Sequence, residues 1–561
     1  MGSLGDDIIP ESSSVLVIGG GPGGSFAATL LAREGIDVVV LEAAEFPRYH
    51  IGESLLPSAR FYLRHIGLEE RFNVAGFAEK HGASFKLSPK AEAYTNFSAI
   101  NGRENHAWNV LRSKADDIML KYSAECGAKV FEGTRVSSIE FVQADEDMID
   151  PDDSRVANPG RPVSAKWTRK DGRTGTISFE YLVDASGREG LVSTKYLKNR
   201  QFNQSLKNVA TWSYWKCAKR YAPGTEREGQ PFFEGLADQT GWCWAIPLSA
   251  ETLSVGFVMN QKLLAQKKVA MVDATVVEFY KKTLDQVPII KDLLADAVME
   301  GGVRSASDYS YRASAFSAPY TRLVGDAGSF IDPYFSSGVH LAMTGAFSAA
   351  ITIQASRRGE CSELQAGKWH SSKVATGYTR FLIMVLVAMK QLNNQNEPVL
   401  SDWSEDGFDK AFDFFRPIIQ GTADSYNTGR KLTQGEIDKT LEFLMTHYNQ
   451  NLEPEQRQSV LNKLGKIKQQ SRDTVEDLKQ LSEGEYKVLE IIRAREMLPI
   501  GEVVGLSDVS QDIYDGYHAR IDRGNLGLSR VGGSSGKNEQ KDSFGTILGK
   551  EQMQAEQQSL S

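Results

Sequence analysis

The sequence predicts an α/β protein built on a Rossmann-like dinucleotide-binding domain, with an inserted mixed β-sheet domain and a helical C-terminal region. Three observations predict this class. Val15–Ile18 is a short, β-branched apolar run that leads into Gly19, Gly21 and Gly24 at GxGxxG spacing. A second glycine-rich segment occupies 323–338, and from about residue 360 the apolar residues recur at helical spacing.

Each part of the first motif has a physical task. The first glycine permits the tight turn, the second lets backbone N–H groups approach a pyrophosphate, and the third lets helix pack on strand. Val38–Leu41 reads as the next strand and ends in Glu42, roughly 20 positions after the glycines, where a carboxylate accepts hydrogen bonds from a ribose. Strand, glycines, helix, strand and terminal acid in this order carry far more than a lone GxGxxG.

The chain of 561 residues is long enough for roughly two to four domains. Its formal net charge of −8 offers no basic excess to neutralise phosphates, so a nucleic-acid partner is not expected. Cys126, Cys217, Cys243 and Cys361 lack CxxC spacing, which argues against a disulfide framework or a metal site and for a reducing compartment. The N-terminus has neither the basic region nor the apolar stretch of a signal peptide, and Asp6 stands where a myristoylation signal wants Ser or Thr. Phe381–Met389, the most apolar run, is too short to span a bilayer and reads as a buried helix. A cytoplasmic protein with no stable membrane insertion is expected.

After a polar lead (1–13), the expected dinucleotide domain is a composite of 14–80, 105–190 and 305–360. The loop Phe46–Pro57 contains two prolines and a glycine and places Arg48 and Glu53 near the pyrophosphate; a mutual ion pair is the plain alternative. A helix follows over 58–66. Gly82–Leu87 reads as a strand holding Lys86 among small and apolar neighbours, either a functional amine or a snorkelling edge lysine. Ser113 is a plausible N-cap for the next helix. Strands are expected at 128–131 and 136–141, then a hairpin of 163–170 and 175–179 around Asp171-Gly172, then a separate strand, Tyr181–Asp184.

Segments 81–104 and 191–304 form the expected substrate-binding sheet domain. Within it, alternating Trp242, Trp244 and Ile246 share one strand face before Pro247; two indoles needing N–H partners suit a pocket wall better than a featureless core. In the second glycine segment, Gly325–Ala327 reads as a short strand placing Asp326 to accept hydrogen bonds from a polyol chain. Ser336–Gly338 opens a helix running through Ala350, whose first N–H groups and dipole suit an anion or polar ring edge. Helices are expected at 374–392, 407–419, 434–448, 453–466 and 473–493 within a helical region 361–520. The tail 521–561, poor in apolar residues, is expected to be disordered.

With both glycine segments in hand, the chain resembles the flavin-dependent monooxygenase superfamily and, within it, the flavin-dependent halogenases of the fungal type that chlorinate phenolic polyketides. The discriminating stretches are Phe46–Ser54, Phe85-Lys86 and Trp242–Pro247, the last matching the WxWxIP signature. The resemblance covers roughly 14–420 and implies an FAD-binding fold of the p-hydroxybenzoate-hydroxylase type. It implies FAD contacts at Gly19, Gly21, Gly24, Glu42, Arg48, Glu53, Ser54, Arg112, Asp326, Ala327, Gly338 and Val339, and a halide held by Ser337 and Gly338. Lys86 is implied as the essential amine. No metal is implied. Halogenases of free tryptophan carry Glu in a Pro-Leu-Glu-Ser-Thr-Gly segment, where this chain has Phe335 in Pro333-Tyr-Phe-Ser-Ser-Gly338. The phenolic subset shares that departure, so a phenol is the implied substrate.

The implied chemistry uses FADH2, O2 and chloride as reactants. Chloride is oxidised beside the flavin to hypochlorous acid, which reaches Lys86 and delivers electrophilic chlorine to an activated ring. No second dinucleotide fingerprint is present, so a separate NAD(P)H-dependent flavin reductase is the implied partner. Two other readings stay open: an aromatic hydroxylase of the same superfamily, and a flavin-binding scaffold without turnover.

Overall fold

The computed structural model describes residues 8–395, Leu506 and 512–531, apart from 88–91, 99–104, 145–147, 149–156, 204–205, 272, 308–309 and 394. The helices expected at 407–419, 434–448, 453–466 and 473–493 lie outside the described residues.

Ser12–Ile18 runs parallel between Thr174–Asp184 and Val38–Leu41, with Lys129–Phe131 continuing one side of an eight-stranded sheet and Thr321–Leu323 the other. Val15, Leu16 and Val17 are fully buried because helices cover one face and a hairpin layer the other. Thr174–Asp184 is one strand of eleven residues rather than two. Its first half pairs antiparallel with Arg161–Arg169 and its second half parallel with Ser12–Ile18, so the chain passes from hairpin to central sheet unbroken. The helix Arg112–Glu125 starts one residue before Ser113, with no side-chain cap, because Arg112 itself is tied down by Asp116.

A second sheet of seven strands, in the order Val298–Ser307, Asn208–Lys216, Thr252–Asn260, Gly241–Pro247, Phe232–Gly235, Gly82–Lys86 and Ala93–Asn96, stands beside the first. Its two faces differ. Phe85, Phe233, Trp242 and Trp244 join one apolar cluster with Tyr334, Phe335 and Phe381, while Phe232, Cys243 and Phe257 pack on Phe279, Tyr280 and Ile290 on the other face. The long helix Glu363–Asn393 crosses both domains: Trp369 enters the nucleotide-domain core, and Phe381–Leu386 enters the cluster below the second sheet. It is the one helix among the described residues long and apolar enough to cross a membrane, and 82% of its apolar window is buried inside the protein.

The expectation of disorder beyond residue 520 fails for 521–531. Ile513–Tyr514, Tyr517–Arg520 and Gly527–Arg530 form a three-stranded sheet, and Tyr517, Ala519, Leu526 and Leu528 bury into the nucleotide-domain core. Leu526 and Leu528 outweigh the polar average of the tail, while Tyr517 and Ala519 stand in a strand where the helical region 361–520 was expected. Glu34 receives the Gly524 N–H at 2.5 Å, and Lys373 Nζ meets Asp512 Oδ2 at 2.6 Å with both side chains 1% exposed. Removing one partner of a buried pair strands the other charge, at a cost of about 3–5 kcal/mol. Asp512→Ala is therefore expected to lower the thermal unfolding midpoint and to expose 512–531 to limited proteolysis; an unchanged midpoint and cleavage pattern would show that this pair does not hold the segment.

Candidate active site

The site begins at the turn after Ser12–Ile18. Gly19 has φ +100°, and a Cβ there would lie 2.3 Å from the Ala185 carbonyl oxygen. A Cβ on Gly24 would lie 1.9 Å from Gly19 O, so the third glycine is needed for the helix to close on the turn. The helix Pro22–Arg33 starts from Gly21 with no side-chain cap, leaving its first N–H groups free for an anion. Glu42, expected as a ribose acceptor, is buried at the end of its strand. Its Oε2 accepts from Gly20 N at 2.5 Å and its Oε1 from Ala44 N at 2.7 Å. The carboxylate thus ties the turn to the second strand while still lining the cavity, with lone pairs to spare.

Arg48 and Glu53 do not pair with each other. Arg48 Nη1 reaches Asp116 Oδ2 at 2.7 Å, and Arg112 binds the same carboxylate through Nε at 2.8 Å and Nη2 at 3.0 Å. The two guanidiniums overcome the cost of burial and hold Asp116 below the usual carboxylate range. Arg112 Nη1 also donates to Ile51 O at 2.9 Å, fixing the loop, and a Cβ on Gly21 would lie 3.6 Å from Arg48 Nη2. Arg48 therefore sits against the glycine turn, where a pyrophosphate belongs. Asp116 was not foreseen from the sequence; its position four residues after Arg112 on one helix was the available signal. Glu53 turns to Tyr214, and Ser54 is buried beside Asn109.

The second glycine segment departs from expectation. The strand is Thr321–Leu323, and Gly325–Ala327 is a 3₁₀ turn, since Gly325 at φ +61° breaks the extension. The turn projects Asp326 into the same cavity, with Ala327 buried behind it. Loss of water raises the Asp326 carboxyl to about 6, against the pull of Arg112, Arg188 and Arg200. Gly338 opens a helix that runs to Arg357, longer than expected, and Gly338 and Val339 line the cavity. Ser337, at its N-cap, is buried, with Oγ unbonded among the described residues. The cavity measures about 400 Å³. Free helix amides, the Arg48 guanidinium against the glycine turn with Arg112 also lining the cavity, and a carboxylate at each glycine segment fit a dinucleotide with a pyrophosphate and polyol.

Trp242, Trp244 and Ile246 wall this cavity, while Pro247 ends the strand outside it. Trp244 Nε1 donates to Ser254 Oγ at 3.3 Å; the Trp242 indole N–H lies toward the Asp332 carboxylate but outside hydrogen-bond geometry.

The lysine expected to act is a different matter. Phe85 stacks on Phe233 at 4.9 Å on the tryptophan face, whereas Lys86, one residue on, stands beside Glu234 on the opposite face. Glu234, also next to Cys243, caps the helix Pro288–Leu293 through Ile290 N and feels the Lys86 charge. Strand alternation thus turns Lys86 away from the cavity. Lys80, on the short strand Ala78–Lys80, is the buried amine instead: 2% exposed, donating to Leu55 O at 3.1 Å and 5.3 Å from the Phe97 ring centroid. Among the described residues it has no ion pair, and burial alone pulls it down to about 7. Its flanking Glu79 and His81 are far more exposed, and Lys80 was not singled out from the sequence. Leu55, its hydrogen-bond partner, follows the cavity-lining Glu53 and Ser54 directly.

A profile described as FAD binding domain matches residues 12–365. Sulochrin halogenase gedL of Aspergillus terreus is 50% identical over 539 residues, 96% of each chain. Flavin-dependent halogenase ascD of Acremonium egyptiacum is 50% identical over 532 residues, 94% of each. The chain belongs to the flavin-dependent halogenases. The solved myxobacterial chondrochloren halogenase CndH, a variant of FAD-dependent halogenases, superposes with a TM-score of 0.61 at 28% identity, over 78% of this chain and 97% of that one. This halogenase therefore binds FAD and uses O2 and halide with it, and the cavity at the glycine turn has the groups to hold that cofactor.

Asp326 gives the FAD site a pH signature. The ionised carboxylate accepts on both oxygens, whereas protonation turns one into a donor and removes the charge that strengthens these bonds, so FAD affinity of the wild-type halogenase is expected to weaken as pH falls below about 6. Asp326→Ala should weaken FAD binding at neutral pH by about 10–100-fold, the worth of one or two charged hydrogen bonds, and flatten that pH dependence. Flavin-fluorescence titration measures both; an unchanged acid limb in the variant would place the titrating group elsewhere.

Proposed function

We propose that this halogenase chlorinates an electron-rich phenolic aromatic of polyketide type, in the cytoplasm, with reduced FAD delivered by a separate NAD(P)H-dependent reductase. The balance is FADH2 + O2 + Cl⁻ + H⁺ → FAD + H2O + HOCl, followed by ArH + HOCl → ArCl + H2O. Bound reduced FAD supplies the two electrons that activate O2. The chain supplies the rest. The amides of Ser337 and Gly338 hold chloride at the start of a twenty-residue helix. The Lys80 amine hydrogen-bonds hypochlorous acid or takes its chlorine as a chloramine, and presents it to the ring. The aromatic wall of Phe233, Trp242 and Trp244 keeps an organic substrate from the flavin side of the cavity.

The observation that carries the proposal is the burial of Lys80 without a carboxylate among the described residues, which leaves an amine able to exist uncharged near neutral pH. Phe335 supports the phenol: it is 3% exposed and packed on Tyr334 at 4.9 Å, so the position offers no carboxylate to an indole substrate. A phenol, activated by its own oxygen, needs none.

The test supplies enzyme, reduced FAD, O2 and chloride to a panel of resorcinol-type aromatics and reads products by mass spectrometry. A chlorine isotope doublet is expected. Lys80→Met should lower chlorinated product by about 100-fold or more, the usual scale for losing a positioned acid–base or nucleophilic group, while flavin still reoxidises and thermal stability does not fall. Lys86→Met should retain most of its activity. The opposite pattern would return the role to Lys86, and an added oxygen in place of chlorine would make the enzyme a hydroxylase.

A further inference from the structure

Making hypohalous acid beside a flavin consumes protons. With the anionic reduced flavin the balance is FADH⁻ + O2 + X⁻ + 2H⁺ → FAD + HOX + H2O, and both protons must enter a walled cavity. The two glycine segments provide no exposed acid for this. The loop that follows Arg48 does provide a path.

We propose that Tyr49, Tyr214 and Glu53 form a proton relay from solvent to the flavin cavity. Tyr49 is 47% exposed, and its hydroxyl lies 2.9 Å from that of Tyr214. Tyr214 Oη donates to Glu53 Oε1 at 2.6 Å, and Glu53 is a cavity-lining residue only 5% exposed. Trp212 Nε1 donates to Tyr49 Oη at 2.9 Å. The donation of Tyr214 to Glu53 sets the polarity of the chain: its one proton is spent there, so Tyr49 is the donor in the contact between the two tyrosines, and the indole of Trp212 donates to Tyr49 without competing for that proton. A proton leaving Glu53 into the cavity is replaced by the Tyr214 proton, that one by the Tyr49 proton, and that one by water. No bond other than O–H forms or breaks, and each hydroxyl returns to its starting state by rotation.

The surroundings suit transfer rather than charge storage. Burial and the neighbouring carboxylate raise Tyr214 far above the ordinary tyrosine value, and burial raises Tyr49 as well, so both stay neutral at working pH. Burial raises Glu53, opposed by the hydrogen bonds of Tyr214 and Ser254 and by the charges of Arg112 and Arg304. Arg304 also lies 4.3 Å from the Tyr49 ring centroid, where it holds the solvent-side tyrosine in place. A group drawn toward neutral pH from below is a proton donor that can be refilled.

The same contacts could serve only as a strut for the loop, so the test separates the two. Tyr214→Phe keeps the ring and removes the hydroxyl; Tyr49→Phe does the same at the exposed end, where core packing is not at stake. In flavin-free protein, infrared titration of the Glu53 carboxyl, assigned with Glu53→Gln, should show its midpoint rising in Tyr214→Phe, since a donor that stabilises the carboxylate has gone. In loaded enzyme, both variants should bind FAD and unfold as the wild type does. Both should give less halogenated product per flavin reoxidised, with the deficit growing above pH 7 where bulk protons are scarce, and a changed solvent deuterium isotope effect. A wild-type pH profile and isotope effect in Tyr214→Phe would overturn the relay, as would a loss of activity that merely follows a loss of FAD binding.

Discussion

Among the described residues Lys80 is buried without a counter-charge, and that is the constraint on which this site turns. Lys80 gives up most of its hydration for one backbone carbonyl and the face of Phe97. An ammonium in such a place costs folding free energy. The folded chain binds fewer protons than the unfolded one between about pH 7 and the ordinary lysine value near 10.4, so stability rises with pH across that window and the penalty is fully present below it. A protein keeps such a cost where the amine has work to do. An amine able to be neutral has a lone pair that can accept chlorine, which an ammonium lacks.

The flavin side of the cavity is organised by the opposite device, charges that are thoroughly paired. Asp116 gathers Arg48 and Arg112, Arg112 pins the carbonyls of Ile51 and Gly52, and Glu42 ties the glycine turn to the second strand. These contacts hold the cationic groups and free amides where a pyrophosphate lands. The Phe233–Trp242–Trp244 face of the second sheet lines that cavity. One sheet face is therefore given to oxidant and flavin, while the face bearing Lys86, Glu234 and Cys243 belongs to an ordinary core.

The sequence was most legible where backbone geometry limits residue choice. Gly19 and Gly24 are read correctly because a Cβ at either would strike backbone, and nothing else fits there. The WxWxIP strand is legible for a related reason: three large side chains two residues apart must share a face. Legibility fails where a side chain's direction depends on strands that pair from far away. Lys86 looked buried because its neighbours are apolar, yet its register with Glu234 sends it to the other face. Lys80 was passed over between the polar Glu79 and His81, yet pairing of Ala78–Lys80 with Ala107–Asn109 places it in the interior. The folded segment 512–531 was hidden across the end of the expected helical region and the start of the polar tail, since the partners that bury it, Glu34 and Lys373, are more than a hundred residues distant in the chain.

The most direct test is to read the protonation state of that one amine. In protein labelled with carbon-13 at the lysine ε position, an NMR titration is predicted to show a single lysine changing charge near pH 7, with that signal absent from Lys80→Met. If every lysine, Lys80 included, changes charge near the ordinary value of about 10.4, the amine is solvated or paired, and oxidant delivery does not run through an uncharged Lys80.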